Sequence, residues 1–176
     1  MEDIGKIIGK KDKEAFLSAL RRTPAPNQAL GQAIAGGTWV HYVAEHYDAE
    51  VLQAMVDAGF DPNERGTLVG ELPIVYAASA GRLDNVRFLL ACGNVVDTDD
   101  PVRNPLWATI HGAAQPHSKD GDQYGCAKTL LETGMDAAAR YRMSKKGFYN
   151  AAEWAALYGN DELADLIGSY IDAKPS

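Results

Sequence analysis

Four histidines, two cysteines and one acid-rich loop are the side chains of this sequence best suited to chemistry. His111 and His117 are six positions apart, across a predicted helix end and a loop, and a metal site needs further convergent ligands that nothing nearby supplies. Asp120-Gly121-Asp122 has alternating acids, but the other ligands of a calcium loop and its closing Glu are missing. Asp97, Asp99 and Asp100 precede Pro101 and read as a solvated turn. Cys92 and Cys126 match neither a zinc spacing nor a CxxC pair, and two scattered thiols point to a reducing compartment. There is no GxGxxG, GxxxxGK[ST] or GxSxG; Ala78-Ser79-Ala80-Gly81 only approaches the last. The expectation is therefore a protein without catalytic residues, bound metal or cofactor. A metal-dependent site built on His111, His117, Asp120 and Asp122 is the minor alternative.

The elements that carry these residues are short and recur in similar copies. Thr38-Trp-Val-His-Tyr-Val-Ala44 is followed by Leu52, Met55-Val56 and Gly59, and Leu72-Pro-Ile-Val-Tyr-Ala-Ala78 by Val86, Leu89-Leu90 and Gly93, each landmark 34 positions after its counterpart. A third copy runs from Asn104-Pro-Leu-Trp-Ala-Thr-Ile110 to Leu130-Leu131, Gly134 and Asp136. A fourth holds Asn150-Ala-Ala-Glu-Trp-Ala-Ala156, Gly159, Ala164 and Leu166-Ile167. Ile7-Ile8, Phe16, Leu20 and Asn27 form a degenerate earlier one. A fixed period of this size marks a repeat architecture.

Each unit reads as two helices. Pro73 and Pro105 suit a first helical position, where a missing N–H costs nothing. Thr38, Asn104 and Asn150 are N-caps, and Asn150 with Glu153 makes a capping box. Gly81 and Gly159 end the first helix. Gly59, Gly93 and Gly134 end the second, whose apolar residues (Val86, Leu89, Leu90) recur at helical spacing.

This pattern resembles the ankyrin repeat over about residues 5 to 170. The family's Thr-Pro-Leu-His-x-Ala-Ala start is approached by Thr38–His41 with Ala44, by Leu72–Ala78 and by Asn104-Pro-Leu. Its Val-x-x-Leu-Leu helix is matched at Val86–Leu90, and its Gly-Ala-Asp-x-Asn ending at Gly59–Asn63 and Gly134–Asp136. The resemblance implies an all-α solenoid of stacked helix-turn-helix units with hairpin-like connectors, in one domain over 1–176. An N-terminal cap (1–36) would precede units 37–69, 70–102 and 103–147, with a C-terminal cap unit at 148–173. It also implies a structural, hydrogen-bonding role for His41, and a core position for Trp107 in the same place of the third copy.

Insertions break the period. Ile110 to Leu130 is 20 positions where the other copies use 11, so about nine residues are added within 113–122. Ala137–Lys146 exceeds the usual connector by about four, and a milder insertion spans Gln28 to Gly37. Such loops often lie on a binding face.

The chain of 176 residues carries a net charge of −7 and a pI near 5.0, a poor match to nucleic acid or anionic membrane. Its N-terminus has no sustained apolar stretch and no window reaches a membrane span, so a cytoplasmic protein, monomeric when free, is expected. Six acids and no Lys or Arg lie between His41 and Glu64, whereas Arg140, Arg142, Lys145 and Lys146 form a basic connector. Members of the ankyrin family usually meet partners on the concave face. Carried over by position, that face comprises Glu45, His46, Glu71, Tyr76, Ser79, Arg103, His111, Tyr149, Leu157 and Tyr158, with Arg142 and Lys145 beside it. The resemblance implies a protein-binding module. Small acidic ankyrin-like proteins with irregular repeats resemble immunity proteins that neutralise bacterial toxins, so a binder and inhibitor of a partner with a basic face is expected; a general scaffold is the alternative.

Overall fold

Side-chain caps decide where the helices begin. A computed structural model describes residues 4–29, 37–94, 98–115, 120–143 and 147–173 of the chain. The expected insertion between Gln28 and Gly37 and the middle of the 113–122 loop, with His117 in it, lie mostly outside these residues, as do Asp97 and Lys145. The described part is all-α apart from one two-stranded ribbon. α1 (Ile4–Gly9), α2 (Lys13–Arg22) and the short α3 (Pro26–Ala29) come first. They are followed by the pairs α4 (Trp39–His46) and α5 (Ala49–Asp57), α6 (Pro73–Ser79) and α7 (Leu83–Ala91), α8 (Pro105–Ala113) and α9 (Gln123–Glu132), and α10 (Ala151–Leu157) and α11 (Asp161–Asp172). The side chains of Asp12, Asp48, Asn104, Asp122, Asn150 and Asn160 accept from backbone N–H groups of the turns they open. Glu153 answers Asn150 to complete the expected capping box, and Pro73 and Pro105 stand in the first turn of α6 and α8. Gly81 (φ +68°) and Gly159 (φ +71°) take the left-handed conformation just past α6 and α10.

Within each pair the two helices pack together. The first helices α4, α6, α8 and α10 contact one another in order, and so do the second helices α5, α7, α9 and α11, with α2 against α5. The interior of this two-layered row is mainly apolar. It includes Val40, Val43, Ile74, Ala77, Leu106 and Ile110 from the first helices and Leu52, Met55, Val86, Leu89, Leu130 and Ile167 from the second. Burying one such side chain stabilises the fold by roughly 1.5–3 kcal/mol. Trp107 is 1% exposed and sits in this core, as its position implied. The tightest approach is between α6 and α8: a Cβ on Gly112 would stand 1.7 Å from the Ser79 carbonyl oxygen.

Buried amides lock adjacent pairs in register. Asn85 Nδ2 donates to the carbonyls of Ala44 (2.9 Å) and Tyr47 (2.8 Å), tying α7 to the end of α4. Gln123 Nε2 does the same between α9 and Ser79 at 3.3 Å. These bonds satisfy helix-end carbonyls that would otherwise be left unpaired. The added residues after Asp136 form β1 (Tyr141–Arg142), which pairs antiparallel with β2 (Phe148–Tyr149), Tyr141 opposite Tyr149. The Tyr141 hydroxyl accepts from Asn104 Nδ2 at 3.1 Å and donates to the Thr98 carbonyl, which closes the ribbon onto the preceding connector. No helix among the described residues is long and apolar enough to cross a membrane.

Candidate functional site

The row of first helices and the connectors beside it enclose a groove of about 440 Å³. The helical walls follow from helical spacing. Val75, Tyr76 and Ser79 come from one side of α6, Ala108 and His111, three apart, from α8, and Glu45 from the last turn of α4. Glu71 enters from the residue before the α6 cap, Pro101 and Val102 from the connector before α8, and Met143 from the ribbon. Five of the sequence-predicted contact residues, Glu45, Glu71, Tyr76, Ser79 and His111, are thus brought into one cavity.

Glu71 departs from the expectation of an open contact residue. It is only 6% exposed, because the connector folds back over it. Its backbone carbonyl accepts from Gly66 N at 2.8 Å and lies 3.0 Å from His41 Nε2. Its Oε1 accepts from the Tyr76 hydroxyl at 2.8 Å, while Oε2 is buried and has no hydrogen-bond partner among the described residues. Gly66 makes room for this carboxyl: a Cβ there would stand 2.8 Å from its carbon. Desolvation, reinforced by the bond to Glu71, pushes the Tyr76 phenol well above its ordinary value, so it remains a donor.

His41 lies directly behind this wall. Its Nδ1 is 3.1 Å from Thr38 N, which donates to it, and 2.9 Å from Thr38 Oγ1. The Nε2–H therefore donates to the Glu71 carbonyl, which makes the ring a neutral, two-sided strut between the start of α4 and the approach to α6. Burial holds its pKa below the ordinary histidine value. The Tyr76 ring meets it edge-on at 5.0 Å. The structural role implied for His41 is the one it has.

The other expected contacts are spread around the groove. His46 meets Tyr42 edge-on at 4.4 Å, with Nε2 3.8 Å from Glu45 Oε2. His111 connects the groove to an aromatic cluster at the α10 end, with its ring 5.6 Å from Tyr158 and 6.4 Å from Trp154. Burial lowers the pKa of His111 as well. Tyr149 packs on Trp154 at 5.5 Å and is half-buried, whereas Leu157 (58%) and Tyr158 (46%) are exposed. Arg103 is half-buried just after the Asp100 turn, and Arg142 is exposed on β1. Asp120 is exposed, and Asp122 caps α9. Among the described residues no group of three or more His, Cys, Asp or Glu side chains is placed to hold a metal ion.

Tertiary contacts also redistribute the charge. Asp48 and Glu50 belong to the acidic run, yet Lys13 of α2 sits 2.7 and 2.6 Å from them. In the basic connector, Arg140 pairs with Glu153 at 2.9 Å. Glu45 is the acid of the 41–64 run that lines the groove.

Sequence reasoning missed five lining residues: Val75, Pro101, Val102, Ala108 and Met143. A signal existed for Val102: it is an apolar residue two positions before the Asn104 cap, as Phe148 is before Asn150, and both are 59% exposed. Met143 reaches the groove only through the ribbon, which no local pattern announces. No family model matches this sequence, and no curated protein is significantly similar to it.

Proposed function

We propose that this chain is a single ankyrin-repeat domain of the cytoplasm whose function is to bind a partner protein and inhibit it, in the manner of an immunity protein. The regular pairs of short helices, with caps and left-handed glycines at repeating positions, support the repeat assignment. The observation that carries the function is the groove: five residues placed on the partner-binding face by family position converge there, between apolar walls. An exposed apolar surface rimmed by polar groups is the usual mark of a protein–protein contact, and tyrosines are favoured anchors in it. Tyr158, exposed and with its ring 5.6 Å from that of His111, extends the contact beyond one small ligand.

The test is affinity capture from lysate of the source cells, with the wild type and a Glu45→Lys/Tyr158→Ala variant side by side. A one-to-one partner that loses its own activity on binding, and that the variant fails to capture at unchanged melting temperature, supports the proposal. Several unrelated partners would indicate a scaffold instead. Capture undiminished by the variant places the interface elsewhere.

A further inference from the structure

We propose that the groove between α4, α6 and α8 is a socket for one arginine side chain of the partner protein, its guanidinium held by Glu45 and Glu71 and its stem by the apolar wall. This rests on the protein-binding reading and adds the chemistry of what binds. Glu45 and Glu71 line the groove, and among the described residues no Lys or Arg lines it. Arg82 donates its Nε–H to the backbone carbonyl of Glu45 at 3.0 Å, and His46 Nε2 lies 3.8 Å from Glu45 Oε2. Glu71 supplies the independent sign of a ligand: a buried side chain whose Oε2 has no partner among the described residues, on the wall of the cavity. A buried acceptor left unpaired is costly, and a donor entering the groove removes that cost.

The remaining walls favour arginine over lysine. Val75, Val102, Ala108 and Met143 offer apolar surface to a methylene stem. Tyr76 and His111 present rings, on which a planar guanidinium stacks better than an ammonium. A fork of five N–H donors can serve two carboxyl groups at once, which a point charge does less well. The volume, about 440 Å³, is that of a small-ligand site and suits one long side chain.

The probe is N-acetyl-arginine amide, titrated into the full chain and followed by amide chemical shifts, with N-acetyl-citrulline amide as the uncharged isostere. Millimolar binding of the arginine compound is expected, with shifts at Gly66, Tyr76, Ser79 and Val102, and at least roughly tenfold weaker binding of citrulline. Glu71→Gln keeps the size and the acceptor for Tyr76 and should weaken arginine about tenfold; Glu45→Gln, near the end of α4, provides the same readout if Glu71→Gln lowers the melting temperature. Equal responses to arginine and citrulline, shifts confined elsewhere, or no shift overturn the socket. Free arginine binding far more tightly than the capped form overturns it too, in favour of a small-metabolite site. If capped arginine fails while lysate capture still depends on Glu45 and Tyr158, the protein-binding reading stands alone; if both fail, both fall.

Discussion

Replacing His41 by Phe removes the strut behind the groove while keeping a ring of similar size against Tyr76. The loss can be worked from its contacts. Thr38 N–H, buried at the start of α4, loses its acceptor, a penalty of about 1–3 kcal/mol for an unsatisfied buried donor. The Glu71 carbonyl loses one donor but keeps Gly66 N–H, so its share is the smaller net value of about 0.5–1.5 kcal/mol. The total is roughly 2–4 kcal/mol, which at about 2–4 °C per kcal/mol for a chain of this size lowers Tm by roughly 5–15 °C. A second signature is the pH dependence. Burial holds the folded-state pKa of His41 below its unfolded value near 6.5, although Glu71 and Glu64 pull the other way. The unfolded chain therefore binds more protons in that range. Stability is intact above about pH 6.5 and falls as the pH drops from there through the folded-state value. His111 contributes a slope of the same sign, so the variant should flatten the wild-type profile without levelling it. Urea unfolding at pH 7.5 and at several values down to pH 5 measures both effects. A loss below about 1 kcal/mol, or a slope unchanged by the substitution, refutes the strut.

Three further outcomes follow from packing and burial. Leu89→Ala, at a fully buried position between the helix layers, should cost about 2–5 kcal/mol in urea unfolding, because the rigid neighbours leave a cavity. Gly112→Ala should cost at least roughly 1–3 kcal/mol by the same assay, since its Cβ would stand 1.7 Å from Ser79 O and must force α6 and α8 apart. Native-state thiol labelling at pH 8, read by mass spectrometry, should modify Cys92 and spare Cys126. Cys126 is fully buried and its thiol is pushed up to about 12, by desolvation first and by Asp122 next, so only unfolding should expose it.

Much of the local structure is legible in the sequence. Caps, prolines and glycines act within four or five residues, so Pro73, Asn150 with Glu153, and Gly81 could be assigned from neighbours alone. Period-three and period-four apolar spacing named Val86 and Leu89 as core. The groove was legible in part. Helical period places Tyr76 and Ser79 on one side of α6, but nothing local says that Glu71 is covered, since that depends on the turn at Gly66. Asn85 shows the same limit: an exposed-looking polar residue of a second helix is a buried clamp because two carbonyls of the previous pair happen to end beside it.

The all-α character, the helix starts and stops and the periodic core are written in local residue order, because hydrogen-bond capping and amphipathic spacing are short-range and residue-specific. Which charges are paired depends on long-range packing. Lys13 reaches Asp48 and Glu50 from 35 and 37 positions away, and Arg140 reaches Glu153 across the ribbon. The structure also decided that Glu45, Glu71, Val102, His111 and Met143 share one cavity. Charge pairing and cavity shape are set by atoms far apart in the chain, whose meeting depends on how the helix pairs are stacked.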